Sequence, residues 1–452
     1  MATRDKRGLA AIGTFLAQRR GTVQAIQWTM VLVYLGLLIW PVFLPLPDDY
    51  ATFRTDMVLF AQLVFWGIWW PFVMVSMMLM GRVWCGVFCP EGALTEWTSR
   101  HGLGLTIPRW IRWPGWPFVA FVTTTVYGQM VTVYEYPKAA LLVLGGSTVA
   151  AIAIGFLYGR EKRVWCRYLC PANGVFNLLS RLAPLHYRVD RQAWEEHPRV
   201  RAVNCPTFID IGHMRGNGPC HMCGKCSDHR DAVRLAARMP DTDIRHMADK
   251  DASPWDAGLL LFGMLGVATG AFQWSASPTY VWLKAALARL LIDAGWPDLL
   301  SQSVPWWVFT NYPETGEIFS ILDGTSIVIY ILGTATALGS ILAASLTMTA
   351  RIAGSCVTAV RLSYCLIPLG GVGLFLGLSS ITLGSLRAEG WIIPGAQLIR
   401  AGLLAFSVIW SAWLLWHAMP APGLGRKWVA MATAIPGMAA YVLTWVLFFF
   451  VW

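Results

Sequence analysis

The sequence predicts an all-α, multi-pass membrane protein of about nine transmembrane helices, interrupted by one sizeable polar segment. Three observations carry this. Of 452 residues, 56% are hydrophobic and only 13% charged, whereas a soluble domain is nearer a quarter charged. Apolar runs of about 18 residues or more recur, the length a helix needs to cross hydrocarbon. The basic residues are also distributed unevenly between the segments that join these runs.

The expected spans are 25–43, 58–80, 116–133 and 139–158. After a polar interval come 257–274, 327–348, 356–378, 401–419 and 429–452. With the N-terminus inside, 29 of the 35 Lys and Arg fall on one side. Only Arg54, Lys138, Lys284, Arg289, Arg387 and Arg400 fall on the other. This is the positive-inside bias, and it places the N-terminus and the polar interval in the cytoplasm. It also accounts for the net charge of +10 without a nucleic-acid partner. The expected location is a bacterial cytoplasmic (inner) membrane. No cleavable signal peptide is expected, because the first span is too long and lacks a small-residue cleavage site. Residues 1–24 read as a basic cytoplasmic arm suited to anionic membrane lipid.

The membrane part 25–171 is organised around a stretch that occurs twice. The first copy runs Arg82-Val83-Trp84-Cys85-Gly86-Val87-Phe88-Cys89-Pro90, the second Arg163-Val164-Trp165-Cys166-Arg167-Tyr168-Leu169-Cys170-Pro171. Each follows a long apolar run. Cysteines at i and i+4 on a helical turn project from one face. Two such turns brought together offer four thiolates to a soft-metal site. A pairing of the two hairpins, spans one and two with spans three and four, would do this. The competing reading is a packing repeat, since buried Cys behaves as a small hydrophobe. Between the copies, 91–115 is rich in Trp and Arg, which read as interfacial anchors.

The polar interval 172–256 carries Cys205-Pro206 and then Cys220-His221-Met222-Cys223-Gly224-Lys225-Cys226. C-x-x-C-x-x-C with a separate C-P is the ligand pattern of a [4Fe–4S] ferredoxin site. Zinc is the competitor, but a zinc ribbon has two separate C-x-x-C knuckles, and here three cysteines crowd one turn. No second such run follows Cys226, so one cluster is expected in this segment. In the reducing cytoplasm these cysteines are thiols or metal ligands. His213, His221 and His229 lie nearby and read as solvated loop histidines, since four cysteines are already at hand.

The remaining part, 257–452, carries little chemistry. Its outer segment 275–326 contains an amphipathic stretch, 281–294. Asp323-Gly324-Thr325-Ser326 then opens the sixth span. It faintly resembles the sites where flavin is attached to Ser or Thr on the outer side of redox membrane proteins. That makes Ser326 or Thr325 a candidate for covalent flavin, against the ordinary reading of a helix N-cap. Cys356 and Cys365 lack metal spacing and read as packing residues. His417 has no visible axial partner for a haem.

The paired motifs followed by a ferredoxin-like segment resemble the membrane-bound 4Fe–4S polyferredoxin superfamily, which includes NapH-, NosR- and CcoG-like proteins. The resemblance covers roughly 58–230. It implies two [4Fe–4S] clusters, with Cys85, Cys89, Cys166 and Cys170 at one site and Cys205, Cys220, Cys223 and Cys226 at the other. Mixed assignment stays open, because the fourth cysteine of a ferredoxin run often serves another cluster. The chain departs from NosR in having no room for an N-terminal flavin domain. It departs from CcoG in ending in membrane spans. The function expected is electron transfer between the quinone pool or a cytoplasmic donor and a respiratory redox partner protein, as a component rather than a stand-alone enzyme. The alternatives are an assembly or maturation factor for a respiratory metalloenzyme, and a redox-sensing membrane regulator. A transporter is disfavoured, since no row of ionisable residues lines the spans. About 30 Å of hydrocarbon separates the inner motifs from the outer face, so transfer across would require a second cofactor or a partner subunit.

Overall fold

The computed structural model describes residues 2–48, 50–196, 203–214, 216–354, 357–420 and 423–452. Among them, eight helices are long and apolar enough to cross a membrane. They are α2 (Arg20–Phe43), α3 (Met57–Met80), α6 (Pro137–Tyr158), α9 (Pro254–Ala276), α11 (Ile321–Ala353), α12 (Ala359–Ala388), α13 (Ala396–Ala418) and α14 (Leu424–Phe450). The expected span 116–133 is a shorter helix, α5 (Trp116–Met130), of 15 residues. Thr132 takes a left-handed conformation (φ 48°), and Val133 N–H turns back onto Gly128 O, which ends the helix. The chain divides into two compact units.

The first unit comprises Met1–Leu37, Phe72–Pro117 and Gly146–His246 and holds all eight predicted ligand cysteines. The residues read as a free basic arm form α1 (Ala2–Gln18) and the start of α2. One face of α1 packs on the polar interval. Thr14 Oγ1 donates to Asp228 Oδ2 (2.5 Å), and a Cβ on Gly13 would sit 2.7 Å from Ser227 Oγ. The tryptophan-rich stretch after the first motif is not all loop, because α4 (Pro90–Arg100) runs beside α6. Ser147 Oγ donates to Glu91 Oε1 near the start of the pair, and Leu103 N donates to Phe156 O near its end. The first motif therefore lies beside the middle of α6, near Ser147, rather than at its Tyr158 end. The second motif forms α7 (Val164–Tyr168), followed by α8 (Asn173–Leu179). The polar interval folds on a hairpin of β1 (Leu185–Val189) and β2 (Val233–Ala237), antiparallel with Tyr187 opposite Leu235. Its core joins Tyr187, Ile211, Met222, Val233 and Leu235 to Cys220.

The second unit comprises Leu38–Pro71, Phe118–Gly145 and Met247–Trp452. Here α9 packs on α11 through Gly266 and Gly270. These two small residues four apart let helix backbones approach closely. A Cβ on Gly266 would come 2.7 Å from Ala335 Cα, and one on Gly270 3.0 Å from Ile331 Cα. Backbone cannot yield as a side chain can, so Gly266→Val is expected to cost about 1–3 kcal/mol. In detergent it should lower the thermal unfolding midpoint by several degrees; an unchanged midpoint would contradict this packing.

The expected amphipathic stretch is helix α10 (Pro278–Asp293). The cap of α11 is Ser320 rather than the Asp-Gly-Thr-Ser run. Ser320 and Asp323 form a reciprocal capping box, and Asp323 also pairs with Lys284. The two hydroxyls considered for flavin point back along the helix. Thr325 Oγ1 donates to Ile321 O (2.7 Å) and Ser326 Oγ to Leu322 O (2.6 Å), with Ser326 fully buried. Cys365 is fully buried, as a packing residue would be, and Cys356 lies outside the described residues. His417 Nδ1 lies 2.8 Å from Trp413 O, one turn back on the same helix.

Candidate metal centre

The two copies of the repeat are wound alike. In each, the N–H of the second cysteine reaches the carbonyl of the tryptophan five residues back: Cys89 to Trp84 (2.8 Å) and Cys170 to Trp165 (3.0 Å). Such wide turns are rare and recur at functional sites. Pro90 then opens α4 at its first position, where a missing N–H costs nothing. Cys89 caps that helix, with its Sγ 3.4 Å from Gly92 N.

The arginine that begins each copy reaches across to the other copy. Arg82 donates to Asn173 Oδ1 (2.7 Å), three residues beyond Cys170, and to Gly218 O (2.9 Å). Arg163 donates to Cys85 O (2.5 Å) and pairs with Glu96 Oε2 (2.7 Å). Gly92, three residues beyond Cys89, leaves room for it, since a Cβ there would lie 3.2 Å from Arg163 Nη1. Both arginines are almost wholly buried, at 2% and 1% exposure. Burying a guanidinium requires acceptors and countercharge. Glu96 supplies the countercharge for Arg163 and also takes Lys225 Nζ (2.6 Å), the neighbour of Cys226. Burial alone would raise the Glu96 carboxyl, but Arg163 and Lys225 outweigh it and hold it at about 2.

Cys85, Cys89, Cys166 and Cys170 lie close enough to act on one another electrostatically. Cys89 is pushed well above the usual thiol range by burial, then by Cys85, Cys166 and Glu91. Burial, then Glu91, Cys166, Cys89 and Cys85, do the same to Cys170. Cys166 is raised to about 12 by burial, against the pull of Arg163. Glu91 itself accepts from Trp165 Nε1 (3.1 Å) as well as Ser147.

The other four cysteines line one narrow cavity, part of it open to solvent. Cys220 is raised to about 12 by burial, with Cys223 and Cys205 adding to it. Met222 N lies 3.4 Å from Cys220 Sγ, and Thr207 Oγ1 3.4 Å from Cys205 Sγ. Lys162 donates to Cys205 O (2.7 Å) and Arg20 to Cys223 O (2.8 Å). The Cys220–Cys226 turn packs directly on the first motif at Gly86. A Cβ there would fall 2.1 Å from His221 O and 2.8 Å from Cys223 N.

All the described cysteines are free thiols. Among the described residues no group of three or more His, Cys, Asp or Glu converges tightly enough to hold a single metal ion. The donor set still suits a cofactor that takes four thiolates. Both sites offer sulfur only, and buried thiols stay protonated near pH 7 unless a bound cation offsets their charge.

The sequence pointed to these cysteines, but not to the residues packed around them. His221 is a correction. It is buried (3% exposed), not solvated, because it is pressed against Gly86. Burial, then Arg82, Arg163 and Arg167, pushes its pKa well below the usual range, so it is a neutral imidazole. His213 is exposed as expected, and His229 is half-buried. Glu91, Glu96 and Lys225 were not anticipated. The one signal for the bracing was the arginine at the same place in both copies.

Residues 62–114 and 141–189 match the model of a family described as a 4Fe-4S binding domain. The chain carries a 4Fe–4S binding domain. Its two parts contain Cys85 with Cys89 and Cys166 with Cys170; the Cys205–Cys226 stretch lies outside both. The chain is similar to YccM of Escherichia coli, named as an electron transport protein, at 22% identity over 44% of this chain and 62% of YccM. It is also similar to the regulatory protein NosR of Stutzerimonas stutzeri (25% identity) and of Pseudomonas aeruginosa (24%). Each NosR match covers 38% of this chain, with 26% and 27% of the respective NosR. The chain thus spans under two thirds of YccM and about a quarter of NosR. No solved structure matches. The chain is a membrane protein with a 4Fe–4S domain, similar over part of its length to YccM and NosR.

Proposed function

We propose that the chain holds two [4Fe–4S] clusters and relays single electrons at the cytoplasmic face of a bacterial inner membrane. Cys85, Cys89, Cys166 and Cys170 would hold one cluster, and Cys205, Cys220, Cys223 and Cys226 the other. The donor would be the quinone pool or a cytoplasmic protein, and the acceptor a respiratory redox partner. A cluster of this kind supplies one-electron chemistry, at a potential set by net charge, hydrogen bonds to sulfur and exposure. The surrounding residues serve those controls. Arg82 and Arg163 place buried positive charge beside both cysteine sets. Gly92 N and Met222 N lie within reach of sulfur, and apolar walls limit water.

The observation that carries the reading is the juxtaposition of two four-cysteine sets in one unit, joined at Gly86. The 4Fe–4S domain and the likeness to YccM support it. Cysteine variants test it. Cys85→Ser and Cys220→Ser are each expected to lower iron from about eight to about four per chain. Each should abolish a different EPR signal. Loss of the same signal in both variants would contradict the assignment.

A second reading is favoured by the name of the NosR relatives: a regulator whose redox state changes partner binding. In a deletion strain it would alter transcript levels while the respiratory enzymes stay active. Relay of electrons predicts lost respiratory flux with transcripts unchanged.

A further inference from the structure

In the second unit, the end of α12 and the start of α13 line a cavity open to one side. Arg387 and Arg400 line it, with Trp391, Gln397, Leu383 and Ile393. Positive-inside counting leaves six Lys and Arg for the face opposite the cysteines. Two of the six line it, and a third, Arg54, stands 5.4 Å over the ring of Trp391. Membrane topology disfavours cations on that face, so their gathering needs another cause.

Arg400 is only 9% exposed. Its Nη2 donates to Ser380 Oγ (3.1 Å), and its guanidinium lies 4.4 Å from the Phe449 ring centre. Its Nε is buried with no partner among the described residues. No carboxylate lines the cavity. Glu389, two residues beyond Arg387, accepts from Phe53 N (2.7 Å). The same cavity faces the first turn of α13. Its cap, Gly395 (φ 75°), offers no side chain to the free N–H groups there. A helix start with open N–H groups favours an anion. A buried guanidinium with an unused N–H calls for an acceptor.

We propose that this cavity binds a phosphate-ester anion, the headgroup of an acidic phospholipid. Arg387 and Arg400 would grip the phosphate from two sides. Ile392 and Leu398, 80% and 79% exposed beside the site, would meet the acyl chains. The inference is independent of the iron–sulfur reading.

The test uses the full chain in neutral detergent, titrated with phosphatidylglycerol. Wild type is expected to retain about one lipid per chain in native mass spectrometry and to bind phosphatidylcholine at least about tenfold more weakly. Arg387→Gln, at an exposed position, should weaken phosphatidylglycerol about tenfold. Adding Arg400→Gln should abolish binding, while Arg289→Gln leaves it intact. An unchanged lipid-free unfolding midpoint in Arg387→Gln shows that the variant is folded. Millimolar inorganic phosphate separates the sources. No displacement of the lipid supports the headgroup with its acyl chains as ligand. Displacement that fails in Arg387→Gln supports the same site with a soluble phosphate. Equal binding of both lipids by wild type, or undiminished phosphatidylglycerol binding in Arg387→Gln, would overturn the proposal.

Discussion

Arg163→Met is expected to destabilise the cysteine-bearing unit by about 3–5 kcal/mol, the usual cost of stranding one partner of a buried ion pair. The side chain is 1% exposed and makes three bonds, to Cys85 O and to Glu96. Its removal leaves Glu96 half-neutralised in the interior. If stranding is the cause, Arg163→Met with Glu96→Leu should recover a large part of the loss, because the buried carboxylate is then gone and only the more exposed Lys225 and Arg100 lose a partner. Equal instability of the single and double variants would point instead to the bond with Cys85 O. The pair also sets an acid dependence. Glu96 titrates at about 2 in the fold and at 4.5 when unperturbed. Its lowered value makes its contribution complete above about pH 4.5 and progressively lost as pH falls toward 2. Glu96→Gln should flatten the unfolding midpoint against pH over that window. An unaltered slope would mean that other carboxylates carry it.

Gly86→Val is expected to remove the Cys205–Cys226 cluster while sparing the other. The added carbon would lie 2.1 Å from His221 O and 2.8 Å from Cys223 N. Both are backbone atoms, so the Cys220–Cys226 turn has to move. Overpacking of this kind costs about 1–3 kcal/mol where side chains can yield, and more is expected here. Iron should fall from about eight to about four per chain. Gly36→Ala is the control, because no atom lies within 4 Å of a Cβ there. A Gly86→Val protein with full iron would show that the turn and the first motif are not tightly joined.

Much of the architecture was legible because hydrophobic run length is a direct physical requirement of the bilayer. It located eight long apolar helices, and at 116–133 a helix of 15 residues that a left-handed Thr132 ends early. The cysteines stood out because one motif occurs twice and another crowds three of them into a single turn. Their supports did not. Glu96 sits in a stretch whose tryptophans and arginines read as interfacial anchors. Only its packing beside α6 turns it into the counterion of Arg163. His221 looked like a loop residue because its burial comes from Gly86, 135 positions earlier in the sequence. Arg400 looked like one stray outer cation until α12, α13 and α14 surrounded it.

The most direct test of the central claim is the iron, acid-labile sulfide and zinc content of anaerobically purified protein, with an EPR spectrum after dithionite. The two-cluster account predicts about eight iron and eight sulfide per chain, and two reducible signals. Their closeness across Gly86 should make the signals broaden each other when both sites are reduced. Zinc without sulfide would contradict the account and leave the cysteines a structural role.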